Sequence, residues 1–228
     1  MGIQYNPRAV TSGLILALDA GNTKSYPRSG TTWTDLSGRG NRGTLVNSPA
    51  YSSANGGSIV FNGTTNYVTL PANSINTNAD LTLNYWVKSP LPGTGLIYTL
   101  SSGYIANSHL QVRYVNTAGV VSLQLVKAAI VNLGTFSGFT PVSNAIYFLT
   151  VTLTKSTNTW SLYVNGSFVS SFVSAQTFTT TSPTLGLNAQ FSEEWFAGNM
   201  YAFSYYNRVL SATEISQNFN ALRGRYGI

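Results

Sequence analysis

The chain has 228 residues, a length that suits one large β domain or two small ones. Only 8% of its residues are charged while 43% are hydrophobic, which excludes a disordered or solvating chain. The net charge of +6 comes from twelve Lys and Arg residues that form no run, so we expect no nucleic-acid partner.

Cysteine is absent from the sequence, which excludes disulfides and thiolate metal sites. We find no apolar run long enough for a signal-peptide core. None approaches the about 18 residues of a membrane span either. The expectation is therefore a protein with no secretory signal and no membrane insertion.

Short apolar or alternating runs recur along the chain, separated by Gly, Asn, Pro and Ser. Such spacing predicts strands of an all-β sandwich or barrel. The predicted strands are Gly13–Leu18, Ser58–Phe61, Tyr67–Leu70, Leu81–Val87, Leu96–Leu100, His109–Val115, Val120–Val126, Ile146–Thr154, Thr159–Val164, Ser167–Val173 and Met200–Tyr206. In Ile146–Thr154, leucine and valine alternate with threonine, which predicts one buried face and one face in water.

One hairpin and one helix have clear local signals. Asn165-Gly166 separates two predicted strands and suits a tight type I′ turn. Ser211 and Glu214 have the spacing of a capping box, which predicts a short C-terminal helix that packs across an edge or end of a sheet. Three segments are interpreted as insertions between strands: Pro71–Asp80, Ser89–Gly95 and Asn132–Asn144.

Six segments resemble the laminin-G-like, concanavalin A-like domains: Leu18–Asn22, Thr31–Leu45, Ser58–Val68, Leu83–Lys88, Leu162–Gly166 and Tyr206–Ile215. The matches run from about Gly13 to Phe219, nearly the whole chain. The resemblance implies a two-sheet antiparallel jelly-roll β-sandwich over residues 13–228, preceded by a short N-terminal arm at residues 1–12.

The opening motifs are also similar to those of stand-alone proteins of tailed bacteriophages, including cyanophages. This resemblance implies a component of the virion surface or tail, assembled in the host cytoplasm. Its partners would be other virion proteins of the capsid or tail, glycans of the host surface and further copies of the chain. One segment departs from the family: Gly198–Phe203 lacks the acidic residue often found before the Tyr-Asn-Arg signature, which weakens an inherited calcium site.

Catalysis has little support in the residues. Glu193 and Glu194 are adjacent, so in a strand they would point to opposite faces instead of flanking a glycosidic bond. His109 is the one histidine and has no nucleophile elbow with it. Gly38–Gly43 spells a GxGxxG pattern but leads into a strand-like run, so its glycines are interpreted as turn residues. We therefore expect a protein that is not an enzyme.

Two kinds of site remain open. Calcium prefers hard oxygen ligands, and four residues of the first loops, Asp19, Asn22, Asp35 and Asn41, could supply them. The alternative is that these side chains cap turns. Carbohydrates on this fold stack on exposed aromatic rings, and the candidates in or beside loops are Trp33, Tyr104, Phe191 and Trp195. These rings could equally anchor their loops to the sandwich.

The sequence therefore favours a non-catalytic virion component that decorates the particle or binds host glycans. Two alternatives stay open: a purely structural virion protein that cements neighbouring subunits, and a glycan-cleaving enzyme.

Overall fold

The computed structural model describes residues 8–90, 95–101, 110–117, 120–127, 131–178, 182–187 and 195–228. These residues form two antiparallel β-sheets and one α-helix. The strands are β1 (Leu14–Asp19), β2 (Thr32–Trp33), β3 (Gly43–Val46), β4 (Ala50–Ser52), β5 (Ser58–Asn62), β6 (Tyr67–Thr69), β7 (Leu81–Lys88), β8 (Gly95–Ser101), β9 (Leu110–Thr117), β10 (Val120–Lys127), β11 (Val131–Phe136), β12 (Ile146–Thr154), β13 (Thr159–Val164), β14 (Ser167–Val173), β15 (Thr184–Leu185) and β16 (Ala197–Tyr206).

The strand order is non-sequential in both sheets. The first sheet runs β14-β13-β12-β7-β16-β5-β4, and β1 pairs with Ala202–Tyr206 of β16, on the same edge as β5. The second sheet runs β11-β10-β9-β8-β15-β6-β3-β2. The predicted all-β, two-sheet jelly-roll sandwich is thereby confirmed. The loop that carries the GxGxxG pattern joins β2 to β3, and its Gly38 and Gly40 have φ angles of 81° and 76°, which fits the turn interpretation.

The main core lies between the two sheets. Strand β7 shows how the sequence builds it, because Leu83, Tyr85 and Val87 alternate along the strand and all contribute to this core. Trp160 of β13 and Trp33 of β2 are among its largest fully buried side chains. The chain has no cysteine, so this burial of apolar surface is the main source of its stability.

The outer face of the first sheet is also covered, which the alternation of Ile146–Thr154 did not predict. Thr150 and Thr152 of β12 are 0% and 3% exposed. Trp86 and Phe148 project from the same outer face into a second apolar cluster with residues of the C-terminal helix. The prediction of a water-facing side is therefore wrong, because the alternating pattern shows two different faces and says nothing about what covers them.

The helix α1 (Ala212–Tyr226) covers this outer face. Its predicted capping box is confirmed: Ser211 Oγ accepts from the Glu214 amide, and the Glu214 carboxylate accepts from the Ser211 amide. Phe219 stacks on Trp86 with a centroid distance of 5.7 Å and an interplanar angle of 13°. The helix therefore lies on the face of the sheet, and the prediction of an edge or end position is wrong.

The Asn165-Gly166 hairpin is confirmed. Asn165 and Gly166 have φ angles of 51° and 82°, and Val164 pairs with Ser167 across the turn. The Asn132–Asn144 segment is only partly a loop, because β11 occupies its first residues. Gly134 within β11 has a packing role: a Cβ atom there would lie 2.5 Å from the Phe172 ring.

The described part of the predicted N-terminal arm, residues 8–12, is docked on the domain. Val10 is 7% exposed; its amide donates to Asn218 Oδ1 of α1, and its carbonyl accepts from the Tyr206 hydroxyl. The arm therefore forms one side of the second apolar cluster. Among the described residues, no helix has the length and apolar character needed to span a membrane.

Candidate functional site

The loop Asn62–Asn66 joins β5 to β6 and is held together by hydrogen bonds to asparagine side chains. The Asn62 Oδ1 atom accepts the backbone N–H groups of Thr64, Thr65 and Asn66 at 2.9–3.1 Å. Asn66, which is 5% exposed, donates from Nδ2 to the Asn47 carbonyl at 2.7 Å. These bonds fix the loop before any ligand arrives, so its exposed polar groups are preorganised.

A half-buried aromatic pair lies beside this loop. The rings of Tyr67, the first residue of β6, and Trp195 have centroids 5.9 Å apart at an angle of 53°. Trp195 forms an isolated bridge with Leu187. It stands two residues before Ala197, which pairs with Asn62 and contacts Gly63. The pair and the loop therefore form one surface, called the Tyr67–Trp195 surface below.

The chemistry of this surface suits a neutral polar ligand. Tyr67 and Trp195 offer apolar ring area with a polar edge, while Asn47, Asn62 and Thr65 are exposed and uncharged. The amide and hydroxyl groups provide both donors and acceptors. Such a combination can hold a sugar, whose ring has apolar faces and whose rim carries hydroxyl groups.

The aromatic residues predicted from the sequence as sugar-stacking rings lie in different parts of the structure. Trp33 is 0% exposed and packs in the core between the sheets, so its prediction as a stacking ring is wrong. Its position in β2, paired with Gly43 of β3, directs the indole inward. Trp195 is half-buried and belongs to the candidate surface. Tyr104 and Phe191 lie outside the described residues.

Asp35, one of the calcium candidates, acts as a hub of turn hydrogen bonds. Its Oδ1 accepts the amides of Ala17 and Ser37 at 2.9 and 2.8 Å. Its Oδ2 accepts the Ser37 hydroxyl and the Asn41 amide at 2.7 and 3.0 Å. A cation would have to compete with four donors, so Asp35 and Asn41 fit the turn-capping alternative.

Asp19 and Asn22 are engaged in the same way. Both carboxylate oxygens of Asp19 contact Arg225 Nη1 at 2.6–2.7 Å, and Oδ1 also accepts the Gly21 amide. Asn22 Oδ1 accepts the Lys24 amide within its own turn. In the described residues, no group of three or more His, Cys, Asp or Glu side chains is placed to hold a metal ion. The calcium site therefore stays a prediction that these hydrogen bonds do not support.

The remaining described carboxylates also have structural partners. Asp80 accepts the Lys155 amide at 2.8 Å. Glu214 pairs with Arg208 at 2.6 Å, and the hydrogen bonds from this guanidinium and from Ser211 lower the pKa of Glu214 to about 2. His109, Glu193 and Glu194 lie outside the described residues. No two carboxylates of the described chain are thus left free to act as an acid and a nucleophile.

Tyr67 and the Asn62–Asn66 loop were not predicted as parts of a site. Asn62-Gly63-Thr64 has the form of a turn, and Gly63 indeed has a φ angle of 73°. Tyr67 belongs to the alternating pattern of a strand, which gives no hint that its ring meets Trp195. The pairing of β5 with β16 creates this neighbourhood, and no local signal in the sequence reports that pairing.

The sequence of residues 62–216 matches the model of the concanavalin A-like lectin/glucanases superfamily. This match covers more than half of the chain, so the chain belongs to that superfamily. A comparison with curated protein sequences finds no match.

Several solved structures share the fold. Domain 4 of AbnA, an extracellular arabinanase of Geobacillus stearothermophilus solved in complex with arabinotriose, is 18% identical with a TM-score of 0.67; the match covers 90% of this chain and 97% of that domain. The binding domain of Paraclostridial Mosquitocidal Protein 1 is 17% identical with a TM-score of 0.67; the match covers 92% of this chain and 52% of that one. The binding domain of botulinum neurotoxin DC, in complex with rat synaptotagmin II, is 14% identical with a TM-score of 0.69; the match covers 93% of this chain and 52% of that one. The chain thus spans about half of each toxin binding domain.

Proposed function

We propose that this protein is a non-catalytic carbohydrate-binding domain whose glycan lies on the Tyr67–Trp195 surface. The observation that carries the proposal is the half-buried ring pair, 5.9 Å between centroids, beside a loop held by three hydrogen bonds to Asn62 Oδ1. The likeness to AbnA domain 4, a domain of the same extent solved with a bound arabinotriose, supports the same function.

Absence of catalysis is part of this proposal. The four described carboxylates are occupied by backbone amides or by Arg208 and Arg225. Incubation of the protein with each oligosaccharide that it binds should produce no new reducing ends. Enzymatic release of such ends would favour the glycan-cleaving alternative.

The binding experiment uses a glycan panel with three forms of the full chain. The wild type should retain a defined set of oligosaccharides. Trp195→Ala should lose about tenfold or more in affinity for them, because a central aromatic side chain supplies a large share of the binding energy. Phe168→Ala is the matched control, since Phe168 is a 56% exposed aromatic residue on β14, outside the proposed surface.

Two results would contradict the proposal. One is a wild-type chain that retains no glycan at all. The other is equal binding by the wild type and Trp195→Ala, with both proteins folded by circular dichroism.

The proposed biological setting is the surface of a phage particle, where the domain decorates the particle or touches host glycans. The support for it is the resemblance of the opening motifs, Leu18–Asn22 and Asp35–Gly38, to those of tailed-phage proteins. High-resolution imaging of purified particles tests it. Density for this chain with the Tyr67–Trp195 surface exposed would agree with adhesion, burial of that surface between subunits would favour a cementing role, and absence of the chain would reject the virion setting.

A further inference from the structure

A half-open cavity of about 220 Å³ lies between the outer face of the first sheet and α1. Asn84 of β7 and Ser204 of β16 belong to its floor, and Leu222 of α1 forms its roof. Leu36, which is 39% exposed, stands at its rim beside Ala17 of β1. Since Tyr67 and Trp195 are not among its lining residues, this cavity is separate from the proposed glycan surface.

The floor carries a row of hydrogen-bonded polar side chains across three strands. Thr150 donates to Asn84 Oδ1 at 2.7 Å, and Asn84 Nδ2 donates to Ser204 Oγ at 3.1 Å. An asparagine amide has two N–H groups and a hydroxyl oxygen has two lone pairs. Within the described chain, Asn84 therefore keeps a second N–H group for a ligand, and Ser204 Oγ keeps acceptor capacity. A single ligand hydroxyl can use both, accepting from Asn84 and donating to Ser204.

The walls have the opposite character. Trp86, Phe148 and Leu14 line the cavity with apolar surface; Trp86 and Phe148 belong to the second apolar cluster, and Leu14 packs against it. Water molecules against such walls lack hydrogen-bond partners, whereas buried water requires two to four polar contacts. Displacing this water with an apolar group is therefore favourable.

The charges at the cavity disfavour an ionic ligand. Asp19 is the charged residue of its lining, and both oxygens of that carboxylate are paired with Arg225. An ionised group placed inside would lack a partner, and burying an unpaired charge is costly. The volume exceeds the about 150 Å³ of an engineered apolar cavity that binds benzene, yet is below the about 300 Å³ at which drug-sized pockets begin.

We propose that this cavity is a binding site for a small uncharged amphiphile: one aromatic ring or short hydrocarbon chain that carries a single hydroxyl group. The hydrocarbon part lies against Trp86, Phe148 and Leu222, and the hydroxyl reaches Asn84 and Ser204. This site is independent of the glycan surface and does not rest on the proposed carbohydrate function.

The test is a titration of the full chain with p-cresol and with toluene, which differ by one hydroxyl, followed by NMR shifts of the Trp86 indole N–H. The wild type should bind p-cresol saturably with a Kd of about 1 mM, a value typical of a ligand with so few heavy atoms. Ser204→Ala should weaken p-cresol about fivefold, the worth of one net hydrogen bond, and leave toluene unchanged.

Ala17→Phe should abolish binding of both compounds by filling the rim. Ala50→Phe is its matched control, because Ala50 is exposed on β4 and does not line the cavity; it should bind like the wild type. A cooperative thermal unfolding transition establishes that each variant folds. If Ala17→Phe does not fold, the proposal is still tested by Ser204→Ala, which removes only the hydroxyl oxygen. The absence of saturable p-cresol binding to the wild type would overturn the proposal, as would unchanged p-cresol affinity in Ser204→Ala or in folded Ala17→Phe.

Discussion

At the scale of the residue, Glu214 combines two tasks at the start of α1. Its Oε2 accepts the Ser211 amide at 2.9 Å, which completes the helix cap, and its two oxygens meet Arg208 at 2.9 and 2.6 Å. Arg208 also donates to the Ser12 carbonyl at 3.0 Å. One carboxylate thus joins the helix start to the chain segment that precedes β1.

Glu214→Gln should lower the free energy of unfolding at pH 7 by about 1–2 kcal/mol, a value reduced for solvent screening of a side chain that is 29% exposed. The pKa of Glu214 falls from 4.5 to about 2 on folding. The stability that it contributes is therefore present above pH 4.5 and is lost as the pH falls to 2. Urea unfolding at pH 7 and near pH 2 measures this. A difference between wild type and variant that stays constant over this range would contradict the ion-pair account.

The two loop tryptophans show where prediction from residues stops. Trp33 and Trp195 both lie in or beside loops in the sequence, and both were candidates for a sugar platform. Trp33 is fully buried because its two-residue strand pairs with β3 and places the ring between the sheets. The sequence specifies the ring but not the side of the sheet on which it lies, which depends on pairing with distant strands.

At the scale of the element, the β13–β14 hairpin depends on two residues with positive φ angles. Gly166 has a φ of 82°, and a Cβ atom there would lie 3.3 Å from Phe219 of α1. The turn is therefore constrained both by its own backbone and by the helix that packs on it. Asn165 also accepts the Phe148 amide through Oδ1 at 2.9 Å, which ties the turn to β12.

Gly166→Ala should destabilise the fold by about 1–2 kcal/mol, since an L side chain at this φ is strained. Gly224→Ala is the matched control, because Gly224 lies within α1 and a Cβ atom there meets nothing within 4 Å. That substitution should stabilise the protein by up to about 1 kcal/mol through helix propensity. Urea unfolding measures the change in the free energy of unfolding of each variant. Destabilisation by Gly224→Ala as large as that by Gly166→Ala would contradict this interpretation.

The elements predicted well are those with local chemistry. The hairpin, the capping box and the long alternating strands all have signals within a few residues. Strands β2, β4 and β15 have only two or three residues each, too few to show a period. The segment Asn132–Asn144 was interpreted as an insertion, but its first residues belong to β11, where Gly134 makes room for the Phe172 ring of the facing sheet. The candidate surface was missed in part for the same reason, since Tyr67 and Trp195 are brought together by pairing far along the chain.

At the scale of the whole molecule, the arm residues 8–12 and the C-terminal helix meet on the outer face of the first sheet. Asn218 of α1 is 5% exposed, accepts the Val10 amide at 2.8 Å and donates to the Tyr206 hydroxyl at 3.1 Å. The Tyr206 hydroxyl in turn donates to the Val10 carbonyl at 2.8 Å. This network connects the arm, the helix and the sheet in one buried polar cluster.

Asn218→Ala should cost about 2–3 kcal/mol, because it leaves the buried Val10 amide without an acceptor. Asn220→Ala in the same helix should cost little, since the Asn220 side chain has one long contact of 3.4 Å to Ser216. The free energies of unfolding from urea titrations compare the two. Equal losses would show that helix propensity, and not the network, determines the effect.

These contacts divide the molecule into a main core, a covered outer face and the candidate glycan surface. The inner faces of both sheets form the main core, and the outer face of the first sheet holds residues 8–12 and α1. The Tyr67–Trp195 surface is formed where β5, β6 and the start of β16 come together. A ligand at that surface would meet side chains already fixed by the sandwich, so binding should need little rearrangement.

The most direct test of the central claim is a crystal structure of the full chain with an oligosaccharide that the glycan panel identifies. The account predicts a sugar ring packed on Trp195 or Tyr67, with its hydroxyl groups bonded to the Asn62–Asn66 loop or to Asn47. A sugar bound elsewhere on the domain, with the Tyr67–Trp195 surface empty, would contradict it.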